Sequence, residues 1–134
     1  MSKHAILVIK NYNNEYLQYY DKRWDSYLFL NCKMENNNNI IKEYISNTLN
    51  ISKIKQKYIT TKIHTKYSVS HKKYKKYTHL FYTIDIPITD TLTNGEFIIN
   101  NIKFKWFSKE ELNTDTRIQQ VNNDIINYIY ELKI

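Results

Sequence analysis

The chain is 134 residues long, enough for one folded domain with a core, and its 42% apolar content excludes a disordered tail. No apolar run approaches the roughly 18 residues of a membrane span. The single cysteine, Cys32, excludes an internal disulfide and fits a reducing compartment, so a cytoplasmic protein without a membrane partner is expected. The net charge of +7 admits nucleic acid as a partner, although the bias toward Lys, Ile, Asn and Tyr, with Ala, Gly and Pro once each, is also what AT-rich codons produce.

Residues 5–10 (AILVIK) are apolar and β-branched, which predicts a buried strand opening the chain rather than a signal peptide. Residues 11–14 hold three asparagines and predict a turn. Residues 15–21 alternate as a second strand, so the two are expected to pair as a hairpin. A third extended segment follows at 24–31. A polar loop at 36–39 then leads into an amphipathic helix at 40–49, with Asn39 as its expected cap and Asn50 as its left-handed stop.

Residues 56–66 and 77–86 predict two long strands. The first alternates Tyr58, Thr60, Lys62 and His64 against Ile59, Thr61, Ile63 and Thr65, and the link at 67–76 is read as a lysine-rich tip. A loop at 87–95, short strands at 97–99 and 102–107, and a turn at 109–112 come next. Ser108 and Glu111 are spaced as a capping box for that turn. Residues 116–132 close the chain as a helix burying Ile118, Val121, Ile125, Ile129 and Leu132. The order of strands, helix, strands, helix predicts an α/β (α+β) mixed sheet with a helix on each face, as one domain over residues 1–134.

The positive charge is concentrated. Between Glu43 and Asp85 there is no acid and there are nine lysines, while the rest of the chain has slightly more acids than bases. Within that stretch HKKYKKYTH (71–79) interleaves Lys72, Lys73, Lys75 and Lys76 with Tyr74 and Tyr77, a pattern that suits phosphate contact with base stacking. The plain alternative is a solvated, lysine-blunted loop. His64, His71 and His79 lie in the same region, but three converging ligands with acidic or thiolate help are not visible there, so they are read as surface or partly buried side chains. Cys32 has only Lys33 nearby to lower its pKa and is read as structural.

Three segments carry a resemblance. FLNCKME (29–35), KEYISNTLNI (42–51) and KWFSKEEL (105–112) are similar in order to the F/L-P-G-G-K-x-E entry, the R-E-U-x-E-E-x-G-U helix and the late W-x-S-x-E-E-L segment of the Nudix hydrolases, where U is a bulky apolar residue. The resemblance implies a Nudix-like α/β/α sandwich. It also implies, if activity is retained, a pyrophosphohydrolase cleaving a nucleoside diphosphate-linked substrate with magnesium or manganese held by Glu35 and Glu43.

The departures point the other way. Asn31 and Cys32 stand where the family has glycines. The helix aligns in two registers, with Ser46 and Asn47 or Asn47 and Thr48 on the paired glutamates, and both lose the carboxylates. Magnesium needs hard anionic oxygens to hold a diphosphate and to activate water, and neutral amides and hydroxyls do not replace them. The expectation is therefore a degenerate box without a resident metal or cofactor, in a protein that acts by binding a nucleotide derivative or a protein partner. Trp24, Lys33 and Lys42 are the candidate ligand contacts. Two alternatives stand beside it: an active hydrolase drawing on Glu110, Glu111 or Asp115, and a nucleic-acid-binding module using the lysine- and tyrosine-rich hairpin. Oligomeric state is not legible.

Overall fold

The computed structural model describes residues 3–35, 39–68, 71–87, 89, 92 and 95–134. Seven strands are joined in one sheet: β1 (Lys3–Val8), β2 (Tyr16–Asp21), β3 (Ser26–Lys33), β4 (Lys55–Ser68), β5 (Lys73–Asp85), β6 (Glu96–Ile99) and β7 (Ile102–Phe107). Their spatial order is β4-β5-β1-β3-β2-β7-β6. β1 and β5 run parallel over Lys3↔Thr78 to Val8↔Thr83, and the other named pairs are antiparallel. Helix α1 (Ile40–Leu49) lies on one face, and α2 (Lys109–Thr114) with α3 (Thr116–Leu132) on the other.

The pleat explains the two cores. Along β1, Ala5, Leu7 and Ile9 join Ile41, Ile45 and Leu49 of α1, while Ile6 and Val8 join Leu112, Ile118, Ile125 and Ile129 on the α3 side. A continuous apolar run is thus a strand buried on both faces, with period two sorting its side chains. α1 buries positions 41, 45 and 49, one per turn, so its opposite face is left to polar residues. Phe104 and Trp106 of β7 fill the α1-side core, and the Trp106 indole N–H donates to the Leu92 carbonyl at 2.9 Å.

Several sequence expectations are corrected. The first two strands do not form a hairpin ladder. They meet at the turn end, through the Lys10–Tyr16 bridge and the Asn11 N–H to Glu15 and Leu17 N–H to Ile9 carbonyl bonds, and beyond it β3 stands between them, pairing β1 through Leu30–Lys33 and β2 through Ser26–Phe29. The turn itself is built as read, with the Asn11 side chain accepting from the N–H groups of Asn13 and Glu15 and with Asn14 at φ 58°.

The lysine-rich link is mostly strand, since β4 and β5 stay paired to Ser68↔Lys73. In β4 a bulge between Tyr58 and Thr60 breaks the simple alternation. Asn39 holds the N-cap position of α1 without a side-chain capping bond, whereas Asn50 does close the helix at φ 59°. A kink at Asn122 (φ −138°, ψ 20°) turns α3 so that Asn122 and Ile126 are buried and Val121 is only half-buried. The expected loop at 36–38 lies outside the described residues, as do 88, 90, 91, 93 and 94 of the loop at 87–95.

Candidate functional site

The segment that resembles a metal and diphosphate box runs from the end of β3 into α1. Its inward residues are spent on packing, and its outward residues form a shallow depression of about 320 Å³ lined by Asn39, Lys42, Glu43, Ser46, Asn47 and Ser52. A second, about 560 Å³, meets it at Lys42 and Ser52 and is lined further by Lys53, Ile54, Lys55, Asp85, Ile86 and Pro87. The geometry separates the two helix registers. With Lys42 and Glu43 on the Arg-Glu pair, all four matched residues, including Ser46 and Asn47, face the first depression. The other register would assign roles to Tyr44 and Thr48, which are half-buried; Tyr44 packs against the core, where burial drives its phenol pKa far up.

In chemical terms the first depression offers one carboxylate, one ammonium group, two hydroxyls and two amides. Across the pair, Lys42, Lys53 and Lys55 face Glu43 and Asp85, a mildly basic, hydroxyl- and amide-rich trough. Glu35 is exposed just past the end of β3 and does not line either depression. Among the described residues no group of three or more His, Cys, Asp or Glu side chains is placed to hold a metal ion.

The acids after β7 are engaged elsewhere. Glu111 accepts from the Ser108 backbone N–H at 3.0 Å and lies 3.9 Å from the Lys105 ammonium, while its own N–H donates to Ser108 Oγ. Asp115 caps α3 by accepting from the Ile118 N–H at 2.9 Å. With Glu110 they belong to the α2–α3 layer, on the opposite side of the sheet from Glu43. Sequence spacing alone could not reveal that the sheet stands between them.

Trp24, Lys33 and Lys42 are not gathered into one pocket: of the three, only Lys42 lines a depression. Trp24 is 45% exposed in the β2–β3 turn, and its carbonyl accepts from Arg117 at the start of α3. Lys33 pairs with His4 across β1 and β3. The His4 imidazole is held below its ordinary pKa by burial, then by Lys33, then by Arg23. The charges of Lys33 and Arg23 thus both bear on His4, which spacing along the chain does not show. Arg23 is steered by Asp21, which burial disfavours as an anion but which hydrogen bonds from Arg23 and Tyr19 hold below its usual pKa.

Cys32 is buried in the α1-side core, and burial pushes its thiol up to about 11, which makes it a poor nucleophile at neutral pH. His64 and His79 face one another on β4 and β5 with Nδ1 atoms 3.0 Å apart, while His71 is exposed and contacts Ser68. The lysine–tyrosine set splits by register. Tyr74 and Lys76 share the α1-side face of β5. Lys73, Lys75 and Tyr77 share the α3-side face, where Tyr77 stacks on His79, and Lys72 takes the turn at φ 51°. Among the described residues no helix is long and apolar enough to cross a membrane.

No protein-family model matches the sequence, and no curated protein matches it. Solved structures do. A Nudix hydrolase from Nitrosomonas europaea superposes with a TM-score of 0.65 at 14% identity, covering 98% of this chain and 87% of that one. The Ap4A hydrolase of C. elegans gives 0.56 at 13% identity, covering 98% and 96%. The C-terminal domain of mouse MUTYH, solved in complex with human PCNA, gives 0.56 at 13% identity, covering 98% and 90%. At identities this low the likeness is one of architecture, and the architecture of this chain is the Nudix-like α/β/α sandwich.

Proposed function

We propose that this Nudix-like domain binds a nucleotide-type ligand at the outward face of α1 without hydrolysing it. One observation carries the reading: where the fold puts the box helix, the surface offers a single carboxylate, Glu43, among Lys42, Asn39, Ser46, Asn47 and Ser52. Diphosphate cleavage by a divalent metal requires several anionic oxygens converging on the ion. Lysine, hydroxyl and amide donors suit a phosphate that is held as it stands. The basic side chains of His4, Arg23 and Lys33, with Arg23 next in sequence to the exposed Trp24, are further anion contacts on this reading. Protein binding is the second reading, supported by the MUTYH domain, which shares the fold and was solved in complex with a protein.

The test is thermal melting against nucleoside diphosphate compounds, with and without magnesium or manganese. A ligand present at about 100 times its dissociation constant adds about 2.7 kcal/mol to the native state. The expected result is a shift of several degrees that needs no metal and is lost in Lys42→Glu. Metal-dependent turnover of any of these compounds, abolished by Glu43→Gln, overturns the proposal. A native protein that responds to none of them directs the search to a protein partner.

A further inference from the structure

The α1-side face of the β4–β5 ribbon carries rings that remain largely exposed. Tyr58, Ile63, Tyr67 and Tyr74 are 52%, 55%, 53% and 73% exposed, and they make up most of the large apolar side chains left open among the described residues. Register places all four on one face. Tyr67 is opposite Tyr74, Ile63 opposite Thr78, and Tyr58 opposite Tyr82. The bulge after Tyr58 is what brings it there, since strict alternation would have grouped it with Thr60, Lys62 and His64 on the reverse face. Tyr67 and Tyr74 meet edge to face at 5.3 Å, and Tyr58 and Tyr82 at 5.5 Å, so the rings are ordered without being covered.

The reverse face is occupied. Lys66 pairs with Asp124 of α3 at 3.0 Å, and the Lys62 ammonium lies 4.2 Å from the centre of the Tyr128 ring. His64 and His79 pack between them against Phe81 and Tyr128. α3 thus holds the ribbon from behind. The ribbon also outruns the described sheet: among the described residues β1 pairs β5 over Thr78–Thr83, and β4 and β5 stay paired past that stretch to Ser68↔Lys73. Lys76 rises from the aromatic face, Lys72 and Lys73 rim the free end, and Lys57 lies toward the other end. No acid interrupts the sequence from residue 44 to residue 84.

We propose that this face binds single-stranded nucleic acid, with bases stacked on Tyr67, Tyr74 and Tyr58 and phosphates on Lys76 and the rim lysines. Charge favours a polyanion, and open aromatic faces on a flat sheet favour one whose bases are free to stack, which a duplex does not offer. The aromatic face and the lysines at its free end line neither of the α1 depressions, so the inference goes beyond the function proposed above and does not depend on it.

The experiment is fluorescence anisotropy with labelled eight-nucleotide oligo(U) and oligo(dT), and with a duplex of the same length, on the full chain. Both single strands should bind, more tightly than the duplex, and affinity should fall steeply between about 50 and 200 mM salt. Tyr67→Ala and Tyr74→Ala should each weaken binding about tenfold, while Tyr67→Phe keeps it. Lys76→Glu should weaken binding and lower the salt slope by about 0.7. These side chains are solvent-facing, and circular dichroism checks that each variant is folded. Absent binding, equal binding of the duplex, or tyrosine variants that bind like the parent would overturn the proposal. So would a dimer, seen by sedimentation, that Tyr74→Ala dissolves, since a second copy would then be the occupant.

Discussion

Acidification should loosen the attachment of the β4–β5 ribbon through His79. This side chain is 9% exposed, and its pKa is lowered to about 4 by burial first, then by the charges of His64 and Lys66. Every neighbouring element contributes to its setting: His64, Lys62 and Lys66 on β4, Tyr77 and Phe81 on β5, His4 on β1, and Asp124 and Tyr128 on α3. Asp124 acts in the opposite sense and does not outweigh the rest.

In the unfolded chain a histidine titrates near 6.5, so between pH 6.5 and 4 the unfolded state binds a proton that the native state refuses. Stability from this group is complete above the unfolded value and is lost as pH falls. For a shift of this size the loss between pH 7.5 and pH 5 is about 2 kcal/mol, which for a chain of this length lowers the melting temperature by roughly 7 °C. His64, whose pKa is also lowered by burial, adds in the same direction. The assay compares melting at pH 7.5 and pH 5 for the parent and for His79→Gln. The variant starts from a lower stability, but its further drop at pH 5 should be smaller by most of that amount. If both proteins lose the same number of degrees, His79 is not the group that titrates and the reasoning fails.

Other consequences are simpler to read. Gln18 is fully buried on β2, and neither amide atom has a hydrogen-bond partner among the described residues. Gln18→Met should therefore raise stability by about 1 kcal/mol or more in chemical denaturation, and a loss would show that the amide is satisfied in solution. Cys32, with its thiol pKa raised to about 11, should react with a disulfide reagent at pH 7.5 more than about a hundredfold slower than a free cysteine; rapid labelling of the native protein would contradict its burial. Ser108→Ala removes one half of the capping box and should cost about 1 kcal/mol of stability, with Glu111→Gln also lowering the melting point and Glu110→Gln leaving it unchanged. Equal melting points for Ser108→Ala and the parent would remove the structural role assigned to these residues.

Where the sequence was legible, a local cause was sufficient. α1 was read to its ends because Ile41, Ile45 and Leu49 recur once per turn and Asn50 accepts the left-handed backbone that stops it. The capping box of Ser108 and Glu111 is a contact over three residues, and the Asn100–Asn101 turn between β6 and β7 needs two positive φ angles that asparagine supplies. The failures involve partners distant in sequence. Residues 5–10 and 15–21 look like a hairpin until β3 competes for both edges. Lys72–Lys76 look like a loop, but lysine side chains do not interfere with a ladder made by the backbone, so pairing runs to Ser68↔Lys73. The bulge beside Tyr58 and the kink at Asn122 each shift a face by one position, which periodicity counted from residue types does not register. For the candidate site, Lys42 and Glu43 line the depression, while Trp24 and Lys33 line neither it nor its neighbour, a separation that only the fold reveals.

The two faces of α1 explain how a box helix can remain in place while its chemistry changes. Attachment to the sheet is carried by Ile41, Ile45 and Leu49, which are 1%, 0% and 3% exposed, and burial of such side chains contributes about 1.5–3 kcal/mol each. Positions 42, 43, 46 and 47 point away from that contact and line the depression, so exchanging acids for serine and asparagine there removes nothing from the core. Architecture and chemistry are therefore set by different residues of one helix. Likeness of fold follows from the inward set, whereas the chemistry that the depression can offer follows from the outward one, Lys42, Glu43, Ser46 and Asn47.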